Sequence, residues 1–227
     1  MFTIISTIIN IFFKKPKEAP KKQDEDLEYI KEMNNQLDML NQHDFKNINL
    51  PKLGTSDSFF GINKNVKNDD LKNVLIVDDL EDIDVLYLRA FKAIHVTNKK
   101  KNRERNVYKD FNVYSTFENN CGAIAFNFIK KNRIDYAILD ITLGYLTTLD
   151  NGKYVTIDGI DLAVEIWKRY PECHVVFSTV HTCNQKNPTI NKYFKKFNIL
   201  TGKNLEDYYI EKNSEHLYEE LEKFLYN

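Results

Sequence analysis

The chain has 227 residues, enough for one well-buried core with some extra and short for two ordinary domains. Hydrophobic residues make up 42% and charged residues 29%, with a formal net charge of −1. That balance excludes a disordered chain and leaves no global field to recruit nucleic acid or an anionic membrane. Cys121, Cys173 and Cys183 match no zinc or redox spacing, which argues against a disulfide framework and points to a reducing, cytoplasmic compartment.

Residues 1–13 are mostly apolar and run into Lys14-Lys15-Pro16-Lys17. The stretch is too short to cross a bilayer, and its lysines follow the apolar run, where a signal peptide would put them before it. Thr3, Ser6, Thr7 and Asn10 fall on one helical stripe. The remaining apolar face suits peripheral membrane contact, and equally a helix packed on the protein's own core or on a partner. Residues 14–26 read as a solvated linker. Residues 27–42 read as a helix with Leu27, Ile30, Met33, Leu37 and Leu40 on its narrow stripe, and 43–70 as mostly loop. Residues 1–70 are thus expected to form an attachment extension, and 71–227 the domain.

From Leu71 the character changes. Val74 to Val77 is an unalternated apolar run ending in Asp78-Asp79, and Tyr136 to Leu139 is another ending in Asp140. Val175 to Phe177 runs into Ser178-Thr179, and Tyr208 to Ile210 into Glu211-Lys212. Such runs mark strands buried on both faces of a parallel sheet. Phe111 to Thr116 supplies a weaker fifth strand.

Helical stripes alternate with the strands. One carries Ile83, Leu86, Tyr87, Ala90 and Ile94; a second carries Ala125, Phe128 and Ile129. A third carries Leu162, Ala163, Ile166, Trp167 and Tyr170 before Pro171, and the last carries Leu217, Leu221, Phe224 and Leu225. Residues 188–200 are the candidate for the remaining helix. The alternation predicts an α/β fold, a doubly wound five-stranded parallel sheet with helices on both faces.

Ligands of such sheets bind beyond the carboxyl ends of the strands. Those ends present carboxylates, then hydroxyls, then a lysine. Clustered carboxylates repel one another, and a hard divalent cation such as Mg2+ relieves the repulsion. A carboxylate left as nucleophile, beside a cation and an ammonium, suits phosphoryl transfer.

The residues resemble the receiver (CheY-like) domain of two-component response regulators. Asn73 to Asp82 is similar to the family's opening strand and acidic loop, Asp135 to Asp140 to its phosphoacceptor strand, and Asp158-Gly159 to the Asp-Gly before its third helix. Val175 to Thr179 is similar to its fourth strand and Tyr209 to Lys212 to its fifth. The resemblance covers about residues 71–227 and implies the flavodoxin-like receiver fold. It also implies that Asp140 is the phosphoacceptor and that Asp78, Asp79, Asp140 and the backbone carbonyl of Thr142 hold Mg2+. Lys212 would contact the phosphoryl group, Thr179 would be the switch hydroxyl, and Tyr209 the switch aromatic. The implied activity is self-phosphorylation from a phosphodonor and autodephosphorylation. A sensor histidine kinase or phosphotransfer protein would be the donor partner in a phosphorelay, and an unidentified protein the downstream one.

The sequence departs from the family in three respects. Asn213 stands where a proline with a cis bond is usual, and Val180 where a small residue is usual. The intervals Asp79–Asp140, Asp140–Thr179 and Thr179–Lys212 are all long. The first excess, about 96–110, holds Lys99, Lys100, Lys101, Arg103 and Arg105 and reads as a solvated loop. The second holds Asp150-Asn151-Gly152 between Tyr145–Leu149 and Lys153–Ile157, predicting an inserted β-hairpin directly after the phosphoacceptor loop.

A phosphorylation-independent pseudo-receiver, acting as a constitutive interaction module, is the alternative. A haloacid-dehalogenase-like phosphohydrolase would need an acid where Thr142 stands. No helix-turn-helix pattern follows the last helix, so output is expected through protein contacts and not through specific nucleic acid.

Overall fold

The computed structural model describes residues 70–80, 83–117, 121–143, 146–148, 154–180 and 188–227, together with Lys31, Asn35 and Asp38. The chain divides into two units, 1–35 and 36–227. In the first, Lys31 and Asn35 are helical and exposed. The expected segment 1–13, the linker and most of the 27–42 helix and 43–70 loop lie outside the described residues. No helix among the described residues is long and apolar enough to cross a membrane.

Strand β1 (Lys72–Val77) is followed by helices α1 (Ile83–Lys100) and α2 (Val107–Asp110), then β2 (Phe111–Thr116), α3 (Cys121–Lys131) and β3 (Tyr136–Leu139). Two short strands, β4 (Leu146–Thr148) and β5 (Tyr154–Thr156), precede α4 (Gly159–Arg169). Then come β6 (His174–Thr179), α5 (Pro188–Thr201), a 3-10 turn (Leu205–Tyr208), β7 (Tyr209–Glu211) and α6 (Leu217–Tyr226).

Five strands form one sheet in the order β2-β1-β3-β6-β7, every neighbouring pair parallel. The apolar runs explain it: Val74 to Val77 and Ala137 to Leu139 are wholly buried because both faces of the sheet are covered. Leu75, Val77, Ala137, Leu139, Val175 and Phe177 face a core built with α3, α4 and α5. Val74, Ile76, Ile138, Val176 and Ile210 face a second core built with α1 and α6. β4 and β5 pair antiparallel apart from the main sheet, with Leu146 opposite Thr156 and Thr148 opposite Tyr154.

One segment differs from expectation. The basic stretch after Ile94 is not all loop: α1 continues to Lys100, and α2 precedes β2. The buried stripe Tyr87, Phe91, Ile94 is prolonged by Asn98, whose Nδ2 donates to the Ile94 carbonyl (2.8 Å) and to Glu222 Oε1 on α6 (3.0 Å). Arg105 Nη1 meets the same carboxylate at 2.7 Å. Lys99 and Lys100 thereby occupy the last turn of α1, where the helix dipole favours cations.

On the opposite side, Trp167 on α4 packs against Phe197 on α5 (ring centroids 6.0 Å) and Tyr208 of the 3-10 turn (5.6 Å). Its indole N–H donates to the Cys173 carbonyl at 3.0 Å, and the Lys203 ammonium lies 3.9 Å over the ring.

Candidate functional site

The strand order reverses between β1 and β3, and a crevice at the carboxyl ends of the strands follows from that reversal. Asp78 and Asp79 leave β1, Asp140 leaves β3, Thr179 ends β6 and Lys212 leaves β7. The backbone ladder extends into these residues. Asp78 N–H donates to the Thr116 carbonyl (3.1 Å), Asp140 N–H to Val77 (2.8 Å) and Lys212 N–H to Thr179 (3.0 Å). The sheet itself therefore fixes the main chain of the site.

The side chains converge. Oxygen atoms of Asp78, Asp79 and Asp140 lie within 4.8 Å of one another, Asp78 and Asp140 buried and Asp79 half-buried. Lys212, also buried, places its Nζ 2.5 Å from Asp78 Oδ2 and 2.6 Å from Asp140 Oδ2. Asp78 Oδ1 accepts from the Leu80 N–H at 3.2 Å, and Asp140 Oδ1 from the Thr142 N–H at 3.3 Å. Burial pushes the Asp78 carboxyl up to about 6; the Lys212 ammonium pulls it down and the Asp140 charge pushes it up further. Charge crowding in low dielectric together with an all-oxygen donor set fits a hard divalent cation.

Thr179 is fully buried, but along β6 it shares the parity of Val175 and Phe177. Ser178 shares that of Val176, the α1/α6 side to which Asp78, Asp140 and Lys212 belong by alternation with Ile76, Ile138 and Ile210. Tyr209 is half-buried opposite Phe177, and its neighbour Tyr208 is the residue that meets Trp167 edge-on in the aromatic cluster. Val180 is half-buried beside Thr179. No cis peptide bond occurs among the described residues, so Asn213 follows Lys212 through a trans bond. Lys212 still reaches both carboxylates, and Ser214 N–H closes the turn on the Glu211 carbonyl at 3.1 Å.

Gly159 is required by contact. A Cβ there would lie 2.0 Å from the Asp140 carbonyl oxygen, and its N–H donates to the Ile141 carbonyl at 3.1 Å. Asp158 caps α4, accepting from the N–H groups of Ile160 and Asp161, while Asp161 accepts from the Asp158 N–H. Lys196 of α5 reaches into this capping box, 2.7 Å from Asp158 Oδ2 and 2.6 Å from Asp161 Oδ1. Burial, then the Asp158 charge, push the Asp161 carboxyl up to about 7, with Lys196 opposing. Burial lowers the Lys196 ammonium, but the two carboxylates outweigh it and hold the group above its usual range. The main chain of Asp140, the start of α4 and the middle of α5 are thus joined by contact and charge.

Sequence reading passed over Tyr87, Ser178, Asp161 and Lys196. Tyr87 stood in an otherwise apolar stripe, and Ser178 stood beside Thr179; those were the available signals. Nothing in the sequence pairs Lys196 with residues so far upstream.

No family model matches the chain, and no curated protein does. Solved structures do. A CheY-like receiver domain from Methanospirillum hungatei JF-1 is 21% identical, with a TM-score of 0.38 over 67% of this chain and 90% of its own. The response regulator TrrA from Thermotoga maritima, solved with Mg(2+)-BeF, is 18% identical, with a TM-score of 0.35 over 68% of this chain and 100% of its own. The BeF3-activated DrrB receiver domain is 16% identical, with a TM-score of 0.40 over 69% of this chain and 99% of its own. The strand order decides the matter: parallel 2-1-3-4-5 is the flavodoxin-like order. The chain has the flavodoxin-like fold. Within that fold, α1 and α6 cover one face, and α3, α4 and α5 the other. The antiparallel pair β4–β5 falls between the loop after Asp140 and α4.

Proposed function

We propose that this chain is a phosphoacceptor signalling receiver in which Mg2+-dependent phosphorylation of Asp140 switches a protein-interaction surface. The observation that carries the reading is the buried contact of Lys212 with Asp78 and Asp140 inside a cluster of three carboxylates. Structural ion pairs are seldom buried with a surplus of like charge, because the unpaired carboxylate loses its hydration without compensation.

A carboxylate oxygen of Asp140 attacks the phosphorus of a phosphodonor, forming a P–O bond as the bond to the leaving group breaks and the leaving group keeps the electron pair. Asp78, Asp79, Asp140 and the Thr142 carbonyl would hold the cation; when bound, it neutralises the carboxylates and the phosphoryl oxygens. Lys212 would turn from the carboxylates to a phosphoryl oxygen. The resemblance implies that Thr179 would supply a hydroxyl, although by alternation along β6 it is Ser178 that shares the carboxylates' side; Tyr209 would follow the change in β6 and β7. Hydrolysis is a second displacement at phosphorus: water attacks, the bond to Asp140 breaks with Asp140 leaving as the carboxylate, and inorganic phosphate departs with the water's protons shared between it and solvent. A sensor histidine kinase or phosphotransfer protein would be the donor in the cytoplasm. Output would pass through α5 and β7 to a downstream protein, with residues 1–70 as an attachment region whose residues 1–13 would meet either a membrane surface or a protein surface.

The test is intact-protein mass after incubation with Mg2+ and a small-molecule phosphodonor, wild type against Asp140→Asn. A base-labile phosphoryl adduct on wild type alone supports the proposal. No adduct, with no Mg2+-dependent binding of fluoroberyllate, sinks it in favour of a phosphorylation-independent module.

A further inference from the structure

Beneath the carboxylates lies a second layer of polar groups. Tyr87 on α1 and Ser178 on β6 are both 0% exposed, and neither hydroxyl has an aligned hydrogen bond. Tyr87 belongs to the core between the sheet and α1/α6, and Ser178 falls on that side by alternation with Val176, as Asp78, Asp140 and Lys212 do with Ile76, Ile138 and Ile210. Tyr87 is held in place by ring contacts with Phe91 and Phe117, each at 6.4 Å. Its phenol lies against Ser178 and in the field of Asp78 and Asp140. Burial first, then the Asp78 charge, push its pKa well above the ordinary range, so it stays a neutral donor. The Tyr87 and Ser178 hydroxyls thus face each other with poor alignment beside the candidate site, and buried hydroxyls bonded this poorly cost stability.

Asp78 Oδ1 is occupied by the Leu80 N–H, whereas Oδ2 has Lys212 as an ion-pair partner and no aligned hydrogen bond. If Lys212 turns toward an incoming phosphoryl oxygen, Asp78 Oδ2 loses that ion-pair partner. We propose that Tyr87, supported by Ser178, is a positioning residue of the cation site: its phenol donates to the Asp78 carboxylate when Lys212 turns away, keeping Asp78 aimed at the cation. This inference rests on the functional reading above and deepens it. Ser178 orients the phenol by bonding its oxygen, leaving the phenolic proton for Asp78.

The experiment is calorimetric titration of the full chain with Mg2+, comparing wild type, Tyr87→Phe, Ser178→Ala and the packing control Phe91→Leu. A hydrogen bond to a charged group is worth at least a factor of about ten. Tyr87→Phe is expected to weaken Mg2+ binding about tenfold, and Ser178→Ala by less. In chelator, Tyr87→Phe should unfold near the wild-type midpoint, since it removes one poorly aligned contact with Ser178 and leaves the ring packing in place. Phe91→Leu should lower the midpoint and leave the affinity unchanged. Equal affinity of Tyr87→Phe and wild type overturns the inference, and so does an equal loss in Phe91→Leu, which would make the effect one of packing. A wild type that binds no Mg2+ overturns the functional reading, and this inference with it.

Discussion

Lys212 Nζ sits between Asp78 Oδ2 at 2.5 Å and Asp140 Oδ2 at 2.6 Å, with all three side chains buried. The ammonium is the positive charge that these two carboxylates share in the metal-free site, where a bound cation would stand in for it. Lys212→Met should therefore destabilise the metal-free chain by about 3 kcal/mol, the cost of an uncompensated buried charge. Saturating Mg2+ should recover most of that loss. Urea unfolding at neutral pH, with and without Mg2+, reads both quantities, and a variant whose deficit ignores Mg2+ would refute the argument.

Gly159→Ala tests the tight seam behind Asp140. The new methyl would stand 2.0 Å from the Asp140 carbonyl oxygen, on backbone that cannot yield. The expected loss is about 3 kcal/mol, the upper range for overpacking. At Gly122 the corresponding approach, to the Ile157 carbonyl, is 2.9 Å, so Gly122→Ala should cost less. Chemical denaturation of both variants orders them, and the reverse order counts against the geometry.

Asp161 gives a pH signature. Its folded pKa, about 7, is raised from 3.8 by burial first and then by Asp158. The folded state thus binds the proton more tightly than the unfolded one. The stabilisation is complete below about pH 4 and is lost as pH rises through 7, at up to about 1.4 kcal/mol per pH unit. Asp161→Asn keeps an acceptor for Lys196 but removes this titration. Its stability relative to wild type should rise between pH 5 and 7 and level off above, in unfolding curves across that range.

The pair β4–β5 lies between two segments rooted in the core, Leu143 on one side and Ile157 on the other. Replacing residues 146–156 with a short Gly-Ser turn should leave the thermal midpoint nearly unchanged and speed loss of the phosphoryl adduct several-fold, if the pair limits access of water to Asp140. Adduct decay followed by mass provides the comparison, and an unchanged decay rate makes the pair ornamental.

The sheet was legible because its strands are buried on both faces, so Val74–Val77 and Tyr136–Leu139 appear as unbroken apolar runs, each ending in an acid. The carboxylates and Lys212 could be placed together for the same reason: parallel strands all deliver their next residue to one edge. The polar floor and the Lys196 tie were not legible. Tyr87 reads as one more large side chain in a helical stripe, and only its burial against Ser178 beside the carboxylates reveals its polarity as a feature. Lys196 reads as a surface lysine between Lys195 and Phe197; only folding sets it against two carboxylates from another helix. The end of α1 was misjudged because Asn98, a residue of weak helix preference, is satisfied by Glu222, far away in sequence.

Trp167 is the single tryptophan of the chain, and its ring is shared by α4, α5 and the 3-10 turn that leads into β7. Its emission therefore belongs to one junction and is not an average over many. The two helices and the strand that meet there are those tied to Asp140 through Gly159 and to Lys212 through β7. A shift of α4 against α5 or against the turn before β7 would change the surroundings of a native fluorophore. The protein thus carries its own optical gauge, readable without a label or a substituted residue.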